Sequence, residues 1–421
     1  MKKEENTCAF GLERIERSGI KPYYKPAGQC EREAIAAAYA DVMSAYGVKT
    51  ASRNSVLRDV RRRMDAPDDS LVLRLDVTSC YETIDYAAVR RTLADDGRVA
   101  DATLGTLDSA EDAYLRSGQT RGVPRGLSTS GLLVELYLRV VDRRIESMPG
   151  VQLYRRYVDD SIIFFDPRSA GADARTLFER VRDVYGRLGL QLHDPDEYPY
   201  KGDIIESKND CEFPFLGYEI IRTPEREKSV WRMPDRACLE YMFVVKKAFD
   251  TFFCRIGGEA DGEADGAVGG GDYGRRRRLS PLAELLGELR HSTSNRVVND
   301  GGRRVKRGLV FSYPFLTSDE QLQAMDSFLQ SQISRVTPDS IPHGFMGAGT
   351  HHSAADTADY IRRRCAKFGY VAGFRDYKFT RRETAAADGC GHGRKNKARR
   401  QARVNPNQVA ETNKVLKKKR E

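Results

Sequence analysis

Apolar positions along the chain fall into a few readable periods. From 8 to 65 the spacing predicts helices, with Arg32 to Ala40 and Ser55 to Met64 carrying basic and small residues between loops. Leu71 to Val77 is a short apolar run around Arg74 and predicts a strand, followed by a helical pattern from Tyr86 to Leu93. Gly122 to Gly126 predicts a loop, and behind it Leu132, Leu133, Leu136 and Val140 recur at helical spacing. Two apolar runs, Val151 to Val158 and Ser161 to Phe165, flank Asp159-Asp160 as the arms of a hairpin flank its turn. A helix near Ala174 to Leu188 and a strand near Phe215 to Ile221 complete this part. Strand, helix, hairpin, helix, strand is an α+β layout, a sheet backed by helices.

After Arg222 the pattern changes. Asp235 to Phe253 reads as a helix, as do Pro281 to His291 and Ser318 to Val336, the last opening on the capping-box pattern Thr317-Ser318-Asp319-Glu320. Between the first two lies an acidic, glycine-rich insertion, 257–274, too poor in apolar residues to fold by itself. From Lys378 onward the chain is polar and basic. Between Arg394 and Glu421 eleven Lys or Arg face two acids, a composition that predicts no packed structure. The expected division is 1–70, 71–222, 223–377 and a tail from 378 to 421, without internal repeats.

Composition changes this picture little. With 40% hydrophobic and 31% charged residues the chain reads as soluble and globular. It contains no run near the roughly 20 apolar residues of a membrane span, and Met1 to Thr7 is charged with no apolar run behind it. The expectation is a cytoplasmic protein without a membrane partner. Eight cysteines include no C-x-x-C pair, which disfavours a disulfide framework or a zinc ribbon, and Cys390 with His392 is too little for a metal site. A net charge of +9 suits a polyanionic partner, because each neutralised phosphate releases counterions.

Three segments carry candidate chemistry. Leu73-Arg74-Leu75-Asp76-Val77 ends an apolar strand on a carboxylate, which is either a helix cap or an acid that needs a cation. Tyr157-Val158-Asp159-Asp160 puts two acids at a hairpin turn, where acids also serve simply as turn formers. If Leu71 to Val77 is the neighbouring strand, Asp76 and Asp159 converge, and clustered carboxylates with oxygen-only donors favour magnesium. Gly122-Val123-Pro124-Arg125-Gly126, followed by Ser128-Thr129-Ser130-Gly131, lets a nucleotide or another backbone approach closely and offers donors, but it also reads as an ordinary loop with a helix cap.

Taken in order, Asp76…Tyr81, Gly122-Val123-Pro124-Arg125-Gly126…Ser130, Tyr157-Val158-Asp159-Asp160 and Phe215-Leu216-Gly217-Tyr218 resemble the palm motifs of reverse transcriptases. The likeness covers roughly 70 to 220, and the ordered set is far more specific than any member alone. The resemblance implies a right-hand polymerase with an antiparallel palm sheet, compact fingers and a mostly helical thumb. It implies that Asp76 and Asp159 bind two Mg2+ ions, with Asp160 and the backbone of Val77 also at the metals and that backbone facing the triphosphate of a dNTP. Tyr81 stands where the family has a bulky aromatic that excludes a ribose 2′-hydroxyl. Arg125, Gly126 and Ser130, with Lys25 and Arg53 (and Lys21) ahead of the strand, are the implied nucleotide contacts. Phe215, Leu216, Gly217 and Tyr218 correspond to the primer grip. Lys201 and Lys208 compete for the role of a lysine that protonates pyrophosphate. Arg125 replaces the family's usual glutamine, and Gly131 replaces a frequent proline.

The implied partners are an RNA template and a DNA primer or product, with a homo-oligomer or a protein partner left open. Basic stretches at 275–278, 303–307 and 362–364 are either phosphate contacts or solvated faces, and the basic tail suits folded RNA. Among reverse transcriptases the chain looks most like the bacterial defence-associated enzymes, which work with a dedicated non-coding RNA. Two rival readings remain open: an RNA polymerase or untemplated or protein-primed nucleotidyl transferase on the same fold, and a non-catalytic RNA-binding scaffold.

Overall fold

The computed structural model describes residues 10–18, 20–48, 51–199, 201–258, 280–300, 303–342, 345 and 353–374. Most of the insertion at 257–274, the basic stretch at 275–278, Cys390, His392 and the tail from 378 lie outside the described residues. The described chain is a mixed α and β protein with antiparallel sheets and many helices. It divides into two compact units, the first formed by Met1–Pro234 with Phe315–Ser318, the second by Asp235–Pro314 with Asp319–Glu421.

The first unit opens on a hairpin where helix was expected: β1 (Leu12–Arg17) pairs antiparallel with β2 (Ile20–Pro26). Leu12 and Ile15 are three apart and so mimic a helical period. Pro22 and Pro26, however, cannot serve a helix interior, and Tyr24 buries its ring. Two helices follow as expected, α1 (Gln29–Tyr46) and α2 (Arg53–Met64), which bury Ile35, Ala38 and Val42, and Val56, Leu57, Val60 and Met64.

Next come β3 (Leu71–Asp76), α3 (Cys80–Thr83), α4 (Tyr86–Asp96), α5 (Asp101–Arg116), α6 (Ser128–Glu146), β4 (Val151–Tyr157), β5 (Asp160–Phe165), α7 (Pro167–Ala170), α8 (Ala174–Gly186) and β6 (Asp203–Ile205). The strands form one antiparallel sheet in the order β4-β5-β3-β6. Cross-strand partners share a face. Leu71, Leu73 and Leu75 therefore lie with Phe165, Ile163 and Ser161 on one side, and Val72, Arg74 and Asp76 with Phe164, Ile162 and Asp160 on the other. The first face packs on Leu132, Leu133, Leu138 and Val141 of α6 and on Leu177, Phe178 and Val181 of α8. Ile162 to Phe165 are fully buried, which accounts for the unbroken apolar run of β5. On the second face the buried Arg74 is compensated by Asp203 of β6 at 2.6 Å.

A second sheet, β7 (Cys211–Phe215), β8 (Tyr218–Arg222) and β9 (Val230–Arg232), replaces the single strand expected at Phe215 to Ile221. Because β9 pairs with β8, the first unit runs on to Pro234 and does not end at 222. Trp231 and Tyr218 are buried at its centre with ring centroids 5.4 Å apart. The returning segment Phe315–Ser318 belongs here: Trp231 N donates to Thr317 Oγ1 at 2.8 Å, and Phe315 N donates to Tyr218 Oη at 3.1 Å. Thr317 is thus spent on the sheet, and the expected capping box does not form. α12 (below) has Asp319 at its N-cap in a helical conformation with no side-chain cap.

The second unit contains α9 (Asp235–Gly257), α10 (Pro281–Thr293), the hairpin β10 (Arg296–Asp300) with β11 (Arg303–Arg307), α11 (Leu309–Ser312), α12 (Glu320–Ser334) and α13 (Ala354–Cys365). Val245, Phe249 and Phe252 of α9, Leu285 and Leu289 of α10, and Leu322, Met325 and Leu329 of α12 are buried in it. No helix among the described residues is long and apolar enough to cross a membrane.

Candidate active site

The sheet places Asp76 directly opposite Asp160, as the last paired positions of β3 and β5. Asp159 is one residue away in the β4–β5 turn, and its carbonyl accepts a hydrogen bond from Val77 N at 3.3 Å. The three acids named by the motifs therefore meet at one end of the sheet. Like charges directly across strands are destabilising, and these carboxylates are also largely buried. Burial first, then the Asp159 and Asp76 charges, push Asp160 up to about 6. Burial and then Asp76 push Asp159 the same way. Val77 is buried and bridges Leu192.

The turn that carries Asp159 is strained. Val158 has φ 59°, a left-handed conformation that a β-branched residue rarely takes. Arg156 holds it, donating to the Val158 carbonyl at 3.0 Å while pairing with Asp142 at 2.7 Å and Glu135 at 2.8 Å on α6. Tyr154 Oη also donates to Asp142, at 2.8 Å. A buried polar network under the hairpin thus anchors the turn to the helix behind it.

A lysine and a histidine, the latter unsignalled in the sequence, reach the same carboxylate. Lys201 Nζ lies 3.2 Å and His193 Nε2 3.4 Å from Asp76 Oδ2, and His193 N donates to the Asp76 carbonyl at 3.1 Å. Of the two competing lysines, Lys201 is at the acids. Lys208 is fully buried and donates to the carbonyls of Ala66 at 2.9 Å and Arg63 at 3.3 Å, so it clasps the end of α2. In this arrangement no three His, Cys, Asp or Glu side chains among the described residues already converge on one ion position. The donor chemistry nevertheless fits a hard divalent cation: three carboxylates, two of them raised by burial and mutual repulsion, with no sulfur or neutral imidazole required.

The Gly122–Gly126 loop serves backbone packing. A Cβ at Gly122, where φ is 99°, would lie 2.5 Å from the Tyr81 carbonyl, and one at Gly126, where φ is 104°, 2.7 Å from the Tyr24 carbonyl. Of the two approaches left open by the sequence, the glycines allow that of another chain segment. Ser130 is buried and its hydroxyl donates to the Pro124 carbonyl at 2.8 Å, so it closes the loop and does not face a nucleotide. Arg125 does lie at the site. Its guanidinium sits over the Tyr81 ring at 4.7 Å and pairs with Glu82 at 3.3 Å.

The expected contacts ahead of β3 are redistributed. Lys25 lies over the Tyr23 ring at 5.5 Å, whereas Lys21 reaches the strand end, donating to Ser79 Oγ at 3.2 Å. Arg53 donates to the Leu216 carbonyl and lies over the Tyr218 ring at 5.3 Å, which commits it to the 215–218 turn. That turn has positive φ at Leu216 and Gly217, with Phe215 and Tyr218 buried beside it. Sequence reasoning gave His193 and Glu82 no role, although Glu82 lies in the segment that follows Asp76, directly after Tyr81.

No protein-family model and no curated protein matches the chain. Among solved structures it is similar to apo telomerase from Candida tropicalis (TM-score 0.39, 12% identity, covering 80% of this chain and 59% of that one). It is also similar to telomerase from Candida albicans in complex with a fragment of telomeric RNA (TM-score 0.36, 10% identity, covering 85% and 61%). A third match is C. tropicalis apo telomerase truncated of its C-terminal domain (TM-score 0.33, 14% identity, covering 50% and 53%). The chain spans between 53% and 61% of the length of these proteins. Scores this low describe a loose likeness and assign the chain neither a fold nor an activity.

Proposed function

We propose that the chain is an RNA-directed DNA polymerase, a reverse transcriptase, acting by phosphoryl transfer at Asp76, Asp159 and Asp160. The observation that carries this reading is the like-charged cross-strand pair Asp76 and Asp160, with Asp159 at the adjoining turn: buried repulsion that a cation would relieve. The order of the sequence motifs around it supports the same reading. In these terms the four-stranded sheet is the palm, the β1–β2 hairpin with α1 and α2 the fingers, and the second unit the thumb.

The three acids would hold two magnesium ions. When bound, these supply a more nucleophilic primer 3′-hydroxyl and a stabilised pyrophosphate. Tyr81 excludes the ribose 2′-hydroxyl and so favours deoxynucleotides. Lys201 and Lys21 bring positive charge to the edge where a triphosphate enters, and the Phe215–Tyr218 turn positions the primer end. The template is RNA, with backbone contacts from the basic surface and tail. The finer assignment, a bacterial defence enzyme copying a dedicated non-coding RNA, rests on the Arg125 departure from the wider family pattern, on the compact segment ahead of β3 and on the distinct region after 222. Loss of phage resistance in cells carrying Asp159→Asn is its expected signature, and unchanged plating would oppose it.

Labelled-nucleotide incorporation in magnesium by the purified protein with its co-purified nucleic acid tests the polymerase reading. DNA synthesis should vanish in Asp159→Asn and after RNase treatment, and sequencing the product should identify the template. Incorporation of ribonucleotides alone, or synthesis that survives RNase, would replace the proposal with an RNA polymerase or an untemplated transferase.

A further inference from the structure

We propose that Glu82 is a positioning residue that holds Arg125 over Tyr81, so that the three side chains select the nucleotide sugar as one unit. The inference rests on the polymerase reading above and assigns part of its sugar selection to two residues beyond the Tyr81 ring.

A ring excludes a 2′-hydroxyl sharply only if it cannot rotate away. Tyr81 is half-buried, and the Arg125 guanidinium sits 4.7 Å from its centroid. A guanidinium over an aromatic face is attracted to the ring, and a two-point contact with a carboxylate keeps it from swinging away. Glu82 supplies it: Arg125 Nε and Nη2 lie 3.3 Å from Glu82 Oε1 and Oε2 respectively. The backbone sets the same register. Val123 N donates to the Tyr81 carbonyl at 2.8 Å, and Tyr24 N donates to the Arg125 carbonyl at 2.7 Å. Gly122 makes this approach possible, since its missing Cβ would strike the backbone of Tyr81 and Glu82.

Glu82 is also shared. Lys21 Nζ from the β1–β2 hairpin lies 3.9 Å from Glu82 Oε2 while bonding to Ser79. One carboxylate thus gathers a cation from the hairpin and a cation from the loop around the residue that follows Asp76 by five. The side chains of Arg125 and Glu82 are 27% and 30% exposed, so the cluster stands open to a ligand. Without Glu82, Arg125 is no longer held at the ring, the ring gains rotamer freedom, and a ribonucleotide meets a softer barrier.

The test compares dATP with ATP in two ways: as kcat/KM on the co-purified nucleic acid in magnesium, and as equilibrium binding by calorimetry in calcium. Glu82→Gln should lower the preference for dATP roughly tenfold in both, the scale of one charge-assisted contact. Arg125→Lys should do the same, and the double variant should lose no more than either alone. Thermal melts confirm that each variant is folded, and Arg125→Lys decides the matter if Glu82→Gln is not. A preference unchanged in Glu82→Gln, or losses that multiply in the double variant, would overturn the inference. If wild type makes no DNA, the polymerase reading fails while calcium binding still decides on Glu82. Equal wild-type binding of dATP and ATP there counts against it.

Discussion

Two tight hairpin turns of the first unit are built from similar parts and held in different ways. Tyr157 to Asp160 joins β4 to β5 through Val158 and Asp159, and Phe215 to Tyr218 joins β7 to β8 through Leu216 and Gly217. Two-residue hairpins favour glycine or asparagine wherever φ is positive. The second turn follows that preference at Gly217 and departs from it at Leu216, while the first has only Val158, at φ 59°. The second turn is clamped from outside by Arg53 on the Leu216 carbonyl. The first is clamped from beneath by Arg156 on the Val158 carbonyl and from the side by Val77 on Asp159. The difference lies in what each turn carries. The clamps of the first hold a strained residue and three mutually repelling acids, an arrangement with no stabilising purpose of its own. The second carries no acid, and its clamp holds a backbone turn between two buried rings.

The largest contrast between the turns should appear in activity. Asp76→Asn is expected to reduce DNA synthesis by at least about a thousandfold, the several kcal/mol that ion-stabilised charge contributes. Gly217→Ala, which meets Arg53 at 3.1 Å, should reduce it far less. Comparable losses would erase the distinction.

The second contrast is in pH dependence. Asp160 titrates at about 6 in the folded protein and near 3.8 when unfolded. Its ionisation therefore opposes folding above about pH 6, and the penalty disappears as pH falls below about 4. In metal-free protein Asp160→Asn should be more stable than wild type by on the order of 2 kcal/mol at pH 7, with no gap at pH 4. Urea unfolding at both pH values measures this, and a gap independent of pH would show that repulsion is not stored there.

At the other turn, Arg53→Ala should destabilise the protein by about 1–2 kcal/mol through lost hydrogen bonds and ring contact. The nucleotide KM should hold within about threefold, the change that some 0.7 kcal/mol of binding produces. A large rise in KM with stability unchanged would return Arg53 to the nucleotide. The smallest effect belongs to Val158→Gly. Relief of the left-handed valine should raise stability by about 1 kcal/mol, while a looser turn lowers synthesis a few-fold. Gain in both would mean the strain serves nothing.

The acids were legible in the sequence because β3 and β5 are buried on both faces, and nearly continuous apolar runs bounded by Asp admit few readings. The register that sets Asp76 opposite Asp160 follows once those runs pair. The hairpin at 12–26 was not legible, since its strands are charged and its apolar residues fall three apart, as on a helix. Ser130, Gly126 and Arg53 looked like ligand contacts because hydroxyls, glycines and guanidinium groups serve either a ligand or the chain's own backbone. Only the partner distinguishes these uses, and here the partners are Pro124, Tyr24 and Leu216. His193 and Lys201 reach Asp76 from more than a hundred residues away, a proximity that no local pattern encodes.

Binding of Mn2+ as a stand-in for magnesium, followed by electron paramagnetic resonance with dATP present, tests most directly whether these strands build a cation site. Wild type should bind the ion, and Asp76→Asn and Asp159→Asn should each weaken binding by at least about tenfold, one lost carboxylate ligand's worth. Equal binding by all three proteins would show that the acids meet at the end of the sheet for some purpose other than holding metal.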